Sequence, residues 1–187
     1  MSAVLGLWLT VGLMAGPAVG EPLPWFAGWG AQDQVINRTQ VLKGDARGRA
    51  LVLFATWCAP CEAGLAALRG ARDSTLKGVD VTLVACGESP AVVQPWLAAR
   101  GWGEARVIYD RFGTIARDLG VEQSGAGKRT LALPRVIVAD GAGTVRAVLD
   151  GDAAHDPARI ARALAGPHAK PKQEPKPKPR IKSPAAP

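Results

Sequence analysis

Side chains that ligate metals or carry protons are scarce in this chain: 187 residues hold two histidines, three cysteines, two methionines and one tyrosine. A structural zinc ion takes four ligands, and beyond Cys58 and Cys61 the chain offers only Cys86, His155 and His168, the last in a polar tail. No metal site is expected. There is no Met-rich or His-rich tract, which speaks against a carrier of soft metal ions such as Cu(I), and neither a Ser-His-Asp set nor a carboxylate pair can be picked out by spacing. The loop SGAGKRT, residues 124–130, lacks the first glycine and the hydroxyl residue directly after lysine that a phosphate-cradling loop needs. Nucleotide binding is excluded, and Lys128 and Arg129 read as solvated loop charges rather than as partners of a thiolate. No internal repeat is present.

Basic charge is plentiful, but it is not spread over the chain. The formal net charge is +7, yet residues 170–187 carry six Lys/Arg against one Glu, leaving 17 basic and 15 acidic residues in the first 169. A nucleic-acid-binding domain would carry its basic residues on the folded face, so none is expected here. The tail AKPKQEPKPKPRIKSPAAP has no hydrophobic period, and its prolines lack the amide hydrogen that helices and sheets require. Residues 167–187 are therefore expected to be a disordered arm, with electrostatic contact to an anionic envelope surface as the sharper alternative.

The apolar run from Ala3 to Met14 is followed by Gly16-Pro17 and the small residues Ala18-Val19-Gly20. That order predicts a signal peptide over residues 1–20, cleaved after Gly20, and hence a periplasmic or secreted protein. The run is short for a membrane span, so an uncleaved anchor is the second reading. No Lys or Arg precedes it, a departure from the usual leader. The remaining length suits one domain, with residues 21–48 as a lead-in and 49–166 as the folded unit.

Within that unit two periodicities alternate. RALVLFAT (49–56) reads as a strand buried on both faces. Residues 59–73 read as a helix with Ala63, Leu65, Ala67 and Leu68 on one face. VDVTLVAC (79–86) is a second strand. Ser89 and Pro90 open a helix by a capping hydroxyl and a first-turn proline, with Val92, Val93, Trp96 and Leu97 as its stripe. ARVIYD (105–110) is a third strand, and Arg111–Leu119 a short helix facing inward through Phe112, Ile115 and Leu119. After a polar loop, PRVIVAD and TVRAVLDG flank a Gly-rich turn as a hairpin, and Asp156 caps a last helix over 157–165. The expected fold class is α/β, a mostly parallel sheet with a C-terminal antiparallel hairpin and helices on both faces.

FATWCAPCEAGL (54–65) places two thiols where a strand hands over to a helix. At the helix start, Cys58 faces unpaired amides and the positive end of the dipole, which stabilise a thiolate. Pro60 fits the first turn, and Cys61 lies one turn further in, shielded. This assigns Cys58 as the attacking nucleophile and Cys61 as the resolving thiol. A merely structural disulfide at this spacing would stabilise little.

FATWCAPC, the downstream Leu133-Pro134 step and VIVADGAGTVRAV together resemble the thioredoxin-like superfamily, in particular the exported TlpA-like thiol-disulfide oxidoreductases. The resemblance spans roughly residues 40–166. It implies a thioredoxin-like fold, a cis Pro134 facing the thiols, a Leu133 backbone that pairs with extended substrate, and a Trp57 that covers the pair, a core tryptophan being the other reading. It implies reduction or isomerisation of disulfides in exported proteins, no dissociable cofactor, and an external electron donor that in the family is often membrane-bound. Two departures stand out. Val52 occupies the place of the buried acid of thioredoxins, and Gly64 that of a glutamate in many TlpA-like proteins, so a slow resolving step is expected. Glu62 reads as a solvated first-turn carboxylate, His155 as exposed, and Cys86 as a buried bystander with a third redox role as the alternative. The competing functions are a copper chaperone on the same two thiols and an envelope-binding protein acting through its tail.

Overall fold

The computed structural model describes residues 16–125 and 128–166. The leader before residue 16, Lys/Pro tail and His168 lie outside these residues. The chain runs β1 (Ala27–Trp29), β2 (Val35–Asn37), α1 (Arg38–Val41), β3 (Gly48–Phe54), α2 (Ala59–Gly70), β4 (Val79–Cys86), α3 (Pro90–Ala98), β5 (Arg106–Asp110), α4 (Thr114–Asp118), β6 (Glu122–Gly125), β7 (Lys128–Leu131), β8 (Arg135–Asp140), β9 (Val145–Asp150), a 3₁₀ turn (Gly151–His155) and α5 (Pro157–Ala165).

Seven strands form one sheet in the order β2-β1-β5-β4-β3-β8-β9. The central three, β5, β4 and β3, are parallel, and antiparallel pairs close both edges. Strand β3 is buried at all seven positions, as a central strand covered on both faces must be. Its residues alternate between two cores. Ala50, Val52 and Phe54 join Leu65 and Leu68 of α2 and Ile160 of α5, while Leu51 and Leu53 join Val41 of α1 and Ile115 of α4. This is the thioredoxin-like α/β arrangement, with helices on both faces.

Residues 21–48, set apart in the sequence as a lead-in, add β1, β2 and α1 to the same sheet, and Pro22 bridges to Thr144. The junction is held by Arg49, which is fully buried. Its guanidinium donates to the carbonyls of Val41 (2.8 Å), Leu42 (2.6 Å) and Gly44 (2.9 Å) behind α1 and to Gly141 (2.9 Å) in the β8–β9 turn. A cation at a helix C-terminus meets carbonyls that lack intrahelical partners.

Several local expectations are corrected. Helix α2 ends at Gly70 rather than Asp73, and its buried face is Cys61, Gly64, Leu65 and Leu68, while Ala63 and Ala67 are exposed. Ser89 takes the N-cap backbone position of α3, but its hydroxyl makes no capping bond; Val92 points outward. Helix α4 starts only at Thr114, after the left-handed Gly113 (φ 70°). Phe112 thus falls before the helix and is exposed, packed edge-on against Trp29 at 5.3 Å. The polar loop before Leu133 contains a two-stranded ribbon, β6–β7.

Candidate active site

From the end of β3 at Phe54 the chain crosses Ala55, Thr56 and Trp57 and enters α2 at Ala59. Cys58 is the N-cap, with extended backbone (φ −87°, ψ 96°), and its Sγ accepts a hydrogen bond from the Cys61 amide at 3.2 Å. Pro60 lies in the first turn, where its missing donor costs nothing. The two sulfurs are joined in a disulfide with an S–S length of 2.06 Å. Cys58 is 6% and Cys61 1% exposed, while Trp57 beside them is 64% exposed. Trp57 is therefore not a core residue. Its indole is an apolar surface at the rim of a nearly sealed pair.

The approach to Cys58 is fixed by a contact that sequence spacing did not reveal. Glu88, just past β4, accepts the Thr56 amide at 2.7 Å through Oε2 and the Thr56 hydroxyl through Oε1. The only local signal was a carboxylate following a strand that neighbours β3. Below the pair the surroundings are apolar: Val52 is 3% exposed and shares one cluster with Cys58, Cys61 and Leu65. Glu62 is engaged elsewhere, since its Oε1 accepts from Arg100 at 2.9 Å. Arg100 in turn lies over the Trp96 ring, 4.0 Å from its centroid.

The Leu133-Pro134 peptide is cis, the isomer implied by the resemblance. Strand register pairs Leu53 with Arg135, which carries Pro134 to the level of Phe54, at the same end of the sheet as the disulfide. Pro134 is buried and its carbonyl accepts the Gly151 amide at 3.2 Å. Leu133 packs against the cluster that contains both cysteines. Arg135 anchors this segment through a two-pronged pair with Asp150 (2.6 and 3.0 Å) and a bond to the Leu119 carbonyl (3.0 Å).

Cys86 ends β4 beside β3 and is 2% exposed. Burial, with the Asp110 and Glu88 charges adding to it, pushes its thiol far above the ordinary range, although a backbone hydrogen bond at Phe54 opposes this. Asp110 is itself buried, which raises its carboxyl, and the amides it accepts from around Ala116 (2.7 Å) pull the other way. His155, expected to be exposed, is half-buried. Its ring lies against Gly64, where a Cβ would meet Cδ2 at 2.4 Å and Nε2 at 3.0 Å. Among the described residues no group of three or more His, Cys, Asp or Glu side chains is arranged so that it could hold a metal ion.

A disulfide at the N-cap of a helix that follows the central strand of this sheet, with a cis-proline step at the same sheet end, defines a thioredoxin-like thiol-disulfide oxidoreductase. Residues 18–164 match the Redoxin family, and the chain belongs to it. No curated protein matches the chain. Solved structures with similar folds include the peroxidoxin BcpB of Mycobacterium tuberculosis, at 16% identity and a TM-score of 0.64, covering 80% of this chain and 97% of that one. A Chlorobium tepidum protein designated thiol:disulfide interchange protein DsbE shares 23% identity with a TM-score of 0.61, over 80% and 99% of the two chains. A secreted M. tuberculosis disulfide oxidoreductase shares 14% identity with a TM-score of 0.56, over 75% and 94%. None of the described helices is long and apolar enough to cross a membrane.

Proposed function

We propose that this protein is exported by its N-terminal leader and reduces or isomerises disulfides in other exported proteins, as TlpA-like proteins do, drawing electrons from an external donor. The observation that carries this reading is the bond from the Cys61 amide to Cys58 Sγ at 3.2 Å, next to an exposed Trp57. That amide and the helix dipole stabilise negative charge on Cys58, which makes it the attacking thiolate and the better leaving group.

The reaction conserves electrons at each step. The Cys58 thiolate attacks one sulfur of a substrate disulfide; a mixed disulfide forms and the other substrate sulfur leaves as a thiolate that takes up a proton. Cys61 then loses its proton and attacks Cys58 Sγ. The Cys58–Cys61 bond forms, the mixed disulfide breaks, and the second substrate sulfur departs. The substrate has gained two electrons and two protons, and the donor restores the dithiol by the same exchange in reverse. Trp57 and the Leu133-Pro134 step supply the docking surface, with the Leu133 backbone pairing to an extended substrate strand.

Reduction of insulin by the dithiol form tests this. Wild type is expected to be active, Cys58→Ser to lose activity, and Cys61→Ser to accumulate the mixed disulfide. An inactive wild type that instead binds one Cu(I) tightly would favour the metal-chaperone reading, and activity lost on deleting residues 170–187 would favour the tail. Equilibration against glutathione fixes the direction of the couple, and the N-terminal residue of the mature protein reports whether the leader is removed.

A further inference from the structure

We infer that His155 is the proton acceptor for Cys61 in the resolving step, a proposal that rests on the thiol-disulfide reading above. Gly64 lies three residues beyond Cys61 on the buried face of α2, and Cβ positions so spaced on a helix are about 5–6 Å apart. A side chain at such a position covers the turn toward the helix N-terminus, here the turn that carries Cys61. Position 64 has no side chain, and the imidazole of His155 occupies that space, with Nε2 3.0 Å from where the Cβ would be. Nε2 is sealed from solvent and has no hydrogen-bond partner among the described residues. A buried polar atom of this kind carries a cost unless it serves a purpose.

The placement is built into the fold. The turn Gly151–His155 starts with the Gly151 amide bound to the Pro134 carbonyl at 3.2 Å. Ala154 is buried in the same cluster as Cys58 and Cys61. Asp156 accepts the Ala158 amide at 2.9 Å and so fixes the entry to α5. His155 is thus held between two anchored neighbours, its ring pressed on α2. The glycine at 64 also gains a reason, because glycine inside a helix costs roughly 1 kcal/mol against alanine, and any Cβ would displace the ring.

Neither of the other two candidate positions for a base, 62 and 52, supplies a free one. Glu62 is held by Arg100 at 2.9 Å, and Val52 stands apolar beneath the pair. In the mixed disulfide, Nε2 takes the Cys61 proton as that sulfur attacks Cys58 Sγ; the departing substrate thiolate receives a proton from the imidazolium or from water. No atom or electron is left over, and on this proposal His155 supplies the proton acceptor whose absence at Val52 and Gly64 led to the expectation of a slow resolving step.

Stopped-flow measurement of the two steps with a small aromatic disulfide tests this. His155→Gln keeps the volume but cannot hold the proton, and Gly64→Ala favours the helix while moving the ring. Both are expected to leave the attack by Cys58 within twofold of wild type and to slow mixed-disulfide decay, by about a hundredfold for His155→Gln, within the usual range for lost acid–base assistance. In His155→Ala, added imidazole is expected to restore the decay. Wild-type decay rates in both His155→Gln and Gly64→Ala, or no rescue by imidazole, overturn the proposal while leaving the oxidoreductase intact. A wild type that never forms the mixed disulfide overturns the parent reading instead.

Discussion

At the scale of single residues, the three cysteines have been given different chemistry by their surroundings. Cys58 sits at a helix N-cap with an amide aimed at its sulfur, whereas Cys86 sits 2% exposed at the end of a central strand. Burial and neighbouring carboxylates keep the Cys86 thiol protonated at any ordinary pH, and a protonated thiol is not a nucleophile. After reduction, native protein treated with iodoacetamide at pH 8 should modify Cys58 first and leave Cys86 unlabelled until denaturant is added, as peptide mass mapping would read. Cys86→Ala should retain disulfide reduction within about twofold, since the side chain acts as a small apolar filler. Labelling of Cys86 in the folded protein would contradict its placement.

Among the elements, the strands and helices with strong periodicity and recognisable ends were readable in advance. β3, β4, β5 and the β8–β9 hairpin announced themselves as apolar runs between turn residues. Pro60, Pro90 and Asp156 marked helix starts that the structure reproduces. The misses share a cause, which is that their determinants are distant in sequence. β1 and β2 are three residues each, too short to show alternation, and they exist as strands because β5 offers an edge. Phe112 looked like part of a helical stripe, but Gly113 resets the backbone before α4 begins. In the site, the thiol pair and the proline step were legible as a motif. Glu88 and His155 were not, since one reaches Thr56 across 32 positions and the other meets Gly64 only through the turn after β9.

Arg49 belongs to this same class, and its role at element level is testable. A charged residue in the second position of a strand usually reads as a solvated flank, yet here it satisfies the carbonyls that follow α1 and one from the far hairpin. Arg49→Met would keep the stem and remove the donors, leaving several buried carbonyls without partners. Each such group costs about 1–3 kcal/mol, so a loss of about 3 kcal/mol or more in urea unfolding is expected, with the lead-in region losing amide-exchange protection first. A change below about 1 kcal/mol would show that those carbonyls find other partners.

Across the whole molecule the two ends of the sheet carry different duties. One end holds the disulfide, the cis step and Glu88. The opposite end holds Arg49, Gly141 and the part-buried pair of Asp140 with Arg146, whose Oδ2–Nη2 contact is 2.6 Å. Burial raises the Asp140 carboxyl, but the Thr144 and Ala142 amides and the Arg146 guanidinium outweigh it and bring the group below its ordinary value. A carboxyl lowered on folding adds stability above its unfolded pKa of about 3.9 and loses it as pH falls through the folded value. Asp140→Asn should therefore lower Tm at pH 7 by about 5 °C, with the gap to wild type closing below about pH 4. Insulin reduction at 25 °C should be unchanged, because the substitution lies at the far end of the strands from Cys58. An equal gap at pH 3 and pH 7 would contradict the charge-based account.

The solvent-facing indole of Trp57 stands one residue from a sulfur bridge that opens and closes in every cycle. Disulfides quench neighbouring indole emission by accepting an electron from the excited ring, so the chain carries its own optical gauge. Dithiothreitol should brighten its fluorescence, Trp57→Phe should remove most of that gain, and the same signal would allow turnover to be followed without a label.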